Sequence, residues 1–340
     1  MSADPARIAT ALQLLAHLGV TIADLQAEPG RNLPTLAEYL PHVVAAAGPG
    51  ARRTYGTYWN RMAVAWGERP LDAIAASDIE AMQRQIAATA QSRRNSRSGR
   101  HAGEHVIAAA RAIYNRAIAD GLIDAAASPA HRVVKPRRLP STRRALTSDE
   151  LEQINLAARS SGNDVILDAI LLRLHTETAC RRGGALGLRL ADLDTDRGLV
   201  RLTEKGATLR WQPITLDLAA HLDEHAHARG AVLPTDPLLR YRNGQAITSR
   251  RYDHLWKRIS EQLPWVAAGI STHWLRHTTL TWVERHFGYG IARAYAGHTD
   301  STGPATTTYI KADLQAVAAA LSALTGQPHP LAAADRAGGP

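Results

Sequence analysis

Proline and arginine interrupt this chain in one place more than any other, and that interruption sets what it can fold into. Between Ser128 and Ser141 stand Pro129, Pro136 and Pro140, among Arg132, Lys135, Arg137 and Arg138, with Arg143 and Arg144 just beyond. Proline fixes φ and removes a backbone donor, so no helix or interior strand runs through all three. The chain is therefore expected to fold as separate units on either side, and 340 residues suffice for two domains. The run also carries one sign of charge, with no acidic residue until Asp149. A stretch that only joined domains would not need that.

The expected boundaries are 1–32 for an N-terminal helical extension, 33–130 for a helical domain, 131–145 for the basic linker, 146–326 for a larger domain and 327–340 for a disordered tail. In the extension, Ile8, Leu12, Leu15 and Leu18 fall near helical spacing. Leu36, Tyr39 and Leu40, then Ile79, Met82 and Ile86, then Val106, Ile107, Ala110 and Ile113, mark amphipathic helices of a compact bundle. Thr35 with Glu38 and Ser77 with Glu80 read as capping boxes. The stretch from Gln91 to His101 is basic and Ser-rich, with Arg93, Arg94, Arg97 and Arg100 and no apolar stripe. It is either a solvated loop or one pressed against a polyanion.

Beyond the linker, Thr147 with Glu150 opens another helix, and Val165 to His175 is apolar enough to be a buried one. Gly198–Thr203 and Thr208–Thr215 are β-rich runs joined by a Lys205-Gly206 turn, which predicts a hairpin. Helices are predicted again over Leu216–His227, Arg251–Gln262, His273–Phe287 and Asp313–Leu324. The fold class is thus mainly α with a small β-hairpin or sheet, a helical domain followed by a mixed α+β one.

A net charge of +9 and a pI near 10.0 favour a polyanionic partner, either nucleic acid or an anionic membrane surface. One cysteine, Cys180, excludes an intrachain disulfide and suggests a reducing compartment. No apolar stretch approaches the roughly 20 residues that span a bilayer, and no signal-peptide pattern is present. The expectation is a cytoplasmic protein with no membrane association. His221 and His225 share a helical face, but no carboxylate or cysteine completes a zinc site, so no metal is expected.

The residues with chemistry lie in the larger domain. Arg181 stands in Thr-Ala-Cys-Arg-Arg-Gly-Gly-Ala-Leu-Gly-Leu, and Lys205 at the hairpin tip, followed by Gly206, Arg210, Pro213 and Ile214. His273 and Arg276, in Thr-His-Trp-Leu-Arg-His, share a face in the first turn of a helix, where backbone N–H groups favour an anion. Gly297-His298 follows, then Tyr309 in Thr-Thr-Thr-Tyr. Two arginines can grip one phosphate, a lysine and histidines can move protons, and a tyrosine can attack.

In this order the set resembles the catalytic kit of the tyrosine recombinase (phage integrase) family. The resemblance implies a two-domain DNA clamp: a helical core-binding domain, a catalytic domain, and a basic linker crossing the DNA backbone. It implies that Tyr309 attacks a phosphodiester and forms a 3′-phosphotyrosyl link. Arg181, Arg276 and His298 would hold the phosphate, His273 would accept a proton and Lys205 would donate one, with no metal or nucleotide cofactor. Double-stranded DNA is the implied partner. Arg93, Arg94, Arg97, Arg100, Arg132, Lys135, Arg137, Arg138, Arg143, Arg144 and Arg210 are the candidate DNA contacts. The implied assembly is a free monomer that becomes a tetramer on paired sites. The stripe Leu314, Val317, Leu321 and Leu324 of the last helix would pack into a neighbouring protomer. A relaxing topoisomerase of the same chemistry and a non-catalytic DNA-binding relative stay open. The chain also departs from the family pattern. Gly184 stands where an acid commonly orients the first arginine, Lys311 stands where many members have histidine, and the His298–Tyr309 interval is about two residues long for the family.

Overall fold

The structure, a computed structural model, describes residues 4–21, 33–90, 100–136, 143–203, 209–298 and 314–333. Its contacts divide the chain into two compact units, 1–139 and 140–340, with the break inside the proline–arginine run.

The first unit is helical: α1 (Pro5–His17), α2 (Leu36–Ala46), α3 (Pro49–Trp66), α4 (Ala76–Thr89), α5 (Arg100–Ala119) and the single turn α6 (Pro129–Arg132). The apolar faces read from the sequence meet in one core, where Trp59, Met62, Leu71, Ile79, Ile107 and Ile113 are at most 1% exposed. Two polar edges of that core are satisfied: Trp59 Nε1 donates to Ala109 O at 3.0 Å, and Tyr114 OH to Leu71 O at 2.8 Å. The Thr35–Glu38 box caps α2 in both directions. The Ser77–Glu80 box does not form. Helix α4 starts earlier, and the Asp78 carboxylate accepts from Ala75 N at 2.8 Å. In α1 and just beyond it, the apolar residues Ile8, Leu12, Leu14 and Leu18 are exposed.

The second unit contains α7 (Ser148–Ser160), α8 (Val165–Thr178), α9 (Arg182–Leu186), β1 (Leu193–Asp194), β2 (Leu199–Thr203), β3 (Leu209–Pro213), α10 (Leu216–Ala228), α11 (Ser249–Gln262), α12 (Thr272–Ala296), α13 (Leu314–Thr325) and α14 (Pro330–Ala333). The predicted hairpin is β2–β3, paired Leu199 with Pro213 through Thr203 with Leu209, and β1 adds a third antiparallel strand. Helix α8 is the spine, as its apolar run predicts: Leu167, Leu171 and Leu174 are fully buried. The buried Asp168 on α8 ion-pairs with Arg251 and Arg258 of α11, which locks those two helices together. The helix predicted to end at about Phe287 does so: Gly288, with φ 81° and ψ 168°, breaks the helical geometry, and a second helical stretch follows to Ala296, the two together labelled α12. The tail expected to be disordered from Gln327 is ordered as far as Ala333. His329 is 3% exposed there and donates from Nε2 to Gly198 O at 3.0 Å. Half of the α13 stripe, Val317 and Leu321, packs with Val283 and Tyr295 of α12 in its own unit, while Leu314 and Leu324 stay partly exposed. Among the described residues, no helix is long and apolar enough to cross a membrane.

Candidate active site

An α-helix leaves its last carbonyls without intrahelical donors. At the end of α8, five successive carbonyls each accept a side chain instead. Thr279 Oγ1 donates to Thr176 O at 2.7 Å, and Tyr295 OH donates to Glu177 O. Arg210 donates to Thr178 O at 3.4 Å, Arg276 to Ala179 O, and His175 Nδ1 to Cys180 O at 3.1 Å. Three of these donors come from α12 and one from β3, so both elements are tied to the segment that leads into Arg181. Two of them are cations, which suit the negative end of the helix dipole.

Ala179 caps α8 in the left-handed region, with φ 48° and ψ 24°. This is where the resembling pattern, Thr-Gly-x-Arg, has glycine. The turn lets Arg181 become the N-cap of α9, with its backbone extended. The two adjacent arginines then part. Arg182 is exposed and lies 3.1 Å from Asp253 on α11, whereas the charge of Arg181 acts on both His273 and His298.

Arg276, in the first turn of α12, is only 4% exposed. Besides Ala179 O it reaches Ala296 O at 2.8 Å, joining the start of α12 to its end. There Gly297, with φ 65°, reverses the chain and presents His298. A side chain at 297 would be strained by that φ, and its Cβ would crowd the Arg210 side chain. The turn therefore favours glycine, which also leaves room for Arg210.

His273 is held below the usual histidine range, first by burial and then by Arg143, Arg276, His277 and Arg181. His298 is held down in the same way, by burial and then by Arg276, Arg181, Arg293 and Arg210. Both rings are thus neutral at pH 7, inside a ring of guanidinium groups. Such a site attracts an anion, and its imidazoles can accept or share a proton. Among the described residues, no cluster of His, Cys, Asp and Glu could hold a metal ion.

Of the six catalytic candidates, the structure brings together Arg181, His273, Arg276 and His298. Lys205 and Tyr309 lie outside the described residues, as do Arg93, Arg94, Arg97, Arg137 and Arg138. Arg100 opens α5. Lys135 is exposed. Arg132 donates to Ala126 O at 3.0 Å, and Arg144 is held by both oxygens of Glu150, so these two are engaged locally. Of the other candidates, Arg143 lies close enough for its charge to act on His273, and Arg210 on His298. Sequence reasoning passed over Arg293, Tyr295, His175 and Tyr252. The only local signal was for Arg293 and Tyr295, which precede His298 by less than two turns.

The phage integrase family model matches residues 144–315, just over half of the chain. Tyrosine recombinase XerD of Mycobacterium leprae is 31% identical over 190 residues, covering 51% of this chain and 58% of the relative. Tyrosine recombinase XerC of Roseiflexus castenholzii is 24% identical over 247 residues, covering 70% and 74%. The match thus spans little more than half the length of the mycobacterial protein. Among solved structures, a lambda integrase tetramer bound to a Holliday junction superposes with a TM-score of 0.59 at 17% identity, over 89% of this chain and 90% of that one. The Tn1549 transposon integrase, residues 82–397 in complex with circular intermediate DNA, gives 0.59 at 14% identity, over 82% and 96%. At such identities the structures speak for the fold, and the family match speaks for kinship: this chain belongs to the phage integrase family.

Proposed function

We propose that this chain is a site-specific DNA recombinase that cuts and rejoins strands through a 3′-phosphotyrosyl intermediate on Tyr309. The observation that carries the reading is the convergence of Arg181, Arg276, His273 and His298 at the capped end of α8. Attack on a phosphodiester builds negative charge on the non-bridging oxygens, and Arg181 and Arg276 stabilise it, with His298 adding a hydrogen bond. A tyrosine with a pKa of about 10 must lose its proton as it attacks. His273, neutral at pH 7, accepts it. Lys205 protonates the leaving 5′ oxygen. Positioned proton transfer of this kind is worth roughly 10²–10⁴-fold. The linkage keeps the energy of the broken bond, so a second 5′ hydroxyl can reverse the attack. The partner is duplex DNA, with copies of the chain assembled on paired sites, and the protein is cytoplasmic on this reading.

The test uses nicked duplexes with randomised sequence around the nick, which trap a covalent complex because the cut fragment diffuses away. Wild-type protein should select a site and form an adduct stable to denaturing electrophoresis. Tyr309→Phe should bind the selected duplex normally and form none. An adduct from the Phe variant would identify another nucleophile. Relaxation of plasmid with no exchange between two selected sites would favour a topoisomerase.

A further inference from the structure

Gly184 stands where the resembling family commonly orients its first arginine with an acid, so whatever holds Arg181 comes from elsewhere. The buried Glu177 is not that group. Its carboxylate is taken by Arg173 at 2.7 Å and by Thr215 N at 2.9 Å. The backbone offers another route. His175 is 1% exposed and donates from Nδ1 to Cys180 O. A carbonyl only accepts, so Nδ1 carries a proton, and in the neutral ring Nε2 is then an acceptor. Tyr252 OH, 3.0 Å away on α11 and 2% exposed, donates to it. The two rings meet edge to face, with centroids 5.4 Å apart. From the other side, Cys180 N donates to Thr178 Oγ1 at 3.1 Å. The peptide joining Cys180 to Arg181 is thereby fixed through its oxygen, which constrains the Cα from which the Arg181 side chain starts.

We propose that His175, with its tautomer set by Tyr252, is the positioning residue for Arg181, holding the Cys180–Arg181 peptide so that the guanidinium meets the phosphate without an acid at position 184. The proposal rests on the reading of Arg181 as a phosphate ligand. It makes the hydrogen-bond chain Tyr252–His175–Cys180 part of the machinery, although none of its side chains touches DNA. A misplacement of about 1 Å in a catalytic group can cost roughly 10²-fold in rate. His175→Leu should therefore slow covalent-complex formation by about 10- to 100-fold at saturating selected duplex, with affinity unchanged within about twofold. Asparagine offers an amide N–H near the place of Nδ1–H, so His175→Asn should recover most of the loss.

The deciding measurement is a double-mutant cycle on cleavage rate. If His175 acts through Arg181, His175→Leu should cost little once Arg181→Lys has removed the planar fork. Equal losses in both backgrounds, a full rate in His175→Leu, or no recovery with asparagine would overturn the proposal. Should His175→Leu fold poorly by thermal melt, Tyr252→Phe carries the same cycle, because it deletes one hydroxyl and keeps the ring. Wild-type cleavage with unaffected variants removes only the positioning role. Failure of the wild type to form any adduct takes the recombinase reading down with it.

Discussion

Arg181 and Arg276 do the same chemistry on paper, yet the structure makes them unequal in folding, and that inequality can be measured without DNA. Arg276 donates to Ala179 O and Ala296 O, in residues that are 0% and 1% exposed. Arg276→Ala leaves both carbonyls without that donor in a dry site, at roughly 1–3 kcal/mol each. Removing a buried cation also removes its own desolvation cost, which pulls the net loss to the lower half of that range, about 2–4 kcal/mol. For a unit of this size each kcal/mol lowers the melting temperature by about 2–4 °C, so a drop of about 5–15 °C is expected. Arg181 is only partly buried and caps α9 with its backbone, not its side chain. Arg181→Ala should therefore cost less than about 1 kcal/mol, a few degrees at most. Arg276→Lys, with one ammonium for two carbonyls, should fall between. Thermal melts of the DNA-free full chain, followed by near-ultraviolet circular dichroism, separate the variants. Equal shifts for the two alanine variants would refute the reasoning, since they would mean that the capping carbonyls do not depend on Arg276.

Four further outcomes are expected. His225 is buried and its pKa is pushed down to about 4, first by burial and then by Arg229, so the unfolded chain binds the extra proton between that value and about 6.5. Stability should be intact above about pH 6.5 and fall by about 3 kcal/mol on acidification to pH 4; denaturant titrations on His225→Gln should lack that component. Arg182→Ala removes an exposed ion pair with Asp253, worth at most about 1 kcal/mol, and should leave the cleavage rate within about twofold in the covalent-adduct assay. A dead Arg182→Ala would shift the register of the first motif by one. Lys205→Ala should regain cleavage on a substrate with a 5′-bridging sulfur, a leaving group that needs no proton, whereas Arg276→Ala should not; equal rescue of both would rule out Lys205 as the acid. Replacing Arg137, Arg138 and Arg143 together should flatten the log–log salt dependence of DNA binding by about 0.9 for each phosphate that is no longer neutralised, and an unchanged slope would count against a role on the DNA backbone.

What the sequence disclosed was what short-range hydrogen bonds and short motifs encode. The Thr35–Glu38 and Thr147–Glu150 boxes close over three residues, and both form as read. The hairpin forms where two β-rich runs of five residues pair, although Leu209 and Trp211 are exposed and Gln212 is buried. The box at Ser77 failed because a competing acid one turn from Ala75 stands in the same segment, and packing of Leu71 and Ile74 fixes where α4 begins. The tail was misread because Pro, Gly and Ala composition says nothing of His329, whose partner Gly198 lies 131 residues away. The same limit applies at the site. Arg181, His273, Arg276 and His298 are visible as local strings. The donors that hold the end of α8 reach it from 97 to 118 residues along the chain, in the cases of Arg276, Thr279 and Tyr295, and no spacing announces them.

Ala179 shows how a departure from pattern can be neutral in energy and still fix geometry. A left-handed alanine costs about 1–2 kcal/mol relative to an unstrained residue. Glycine would relieve that strain, but it loses about 0.5–1 kcal/mol more backbone entropy on folding. It would also forgo a buried methyl worth about 0.8 kcal/mol, and Ala179 is fully buried against Val283, Tyr295 and Leu321. The opposing contributions nearly cancel, so alanine is tolerated where glycine is the easier choice. What the left-handed turn then secures is direction. It breaks the helical run of carbonyls, offers Ala179 O to Arg276 and Cys180 O to His175, and leads the chain out so that Arg181 faces the histidines while Arg182 faces Asp253. One strained residue thus brings two distant arginines to the same end of one helix, which a phosphate-gripping site requires.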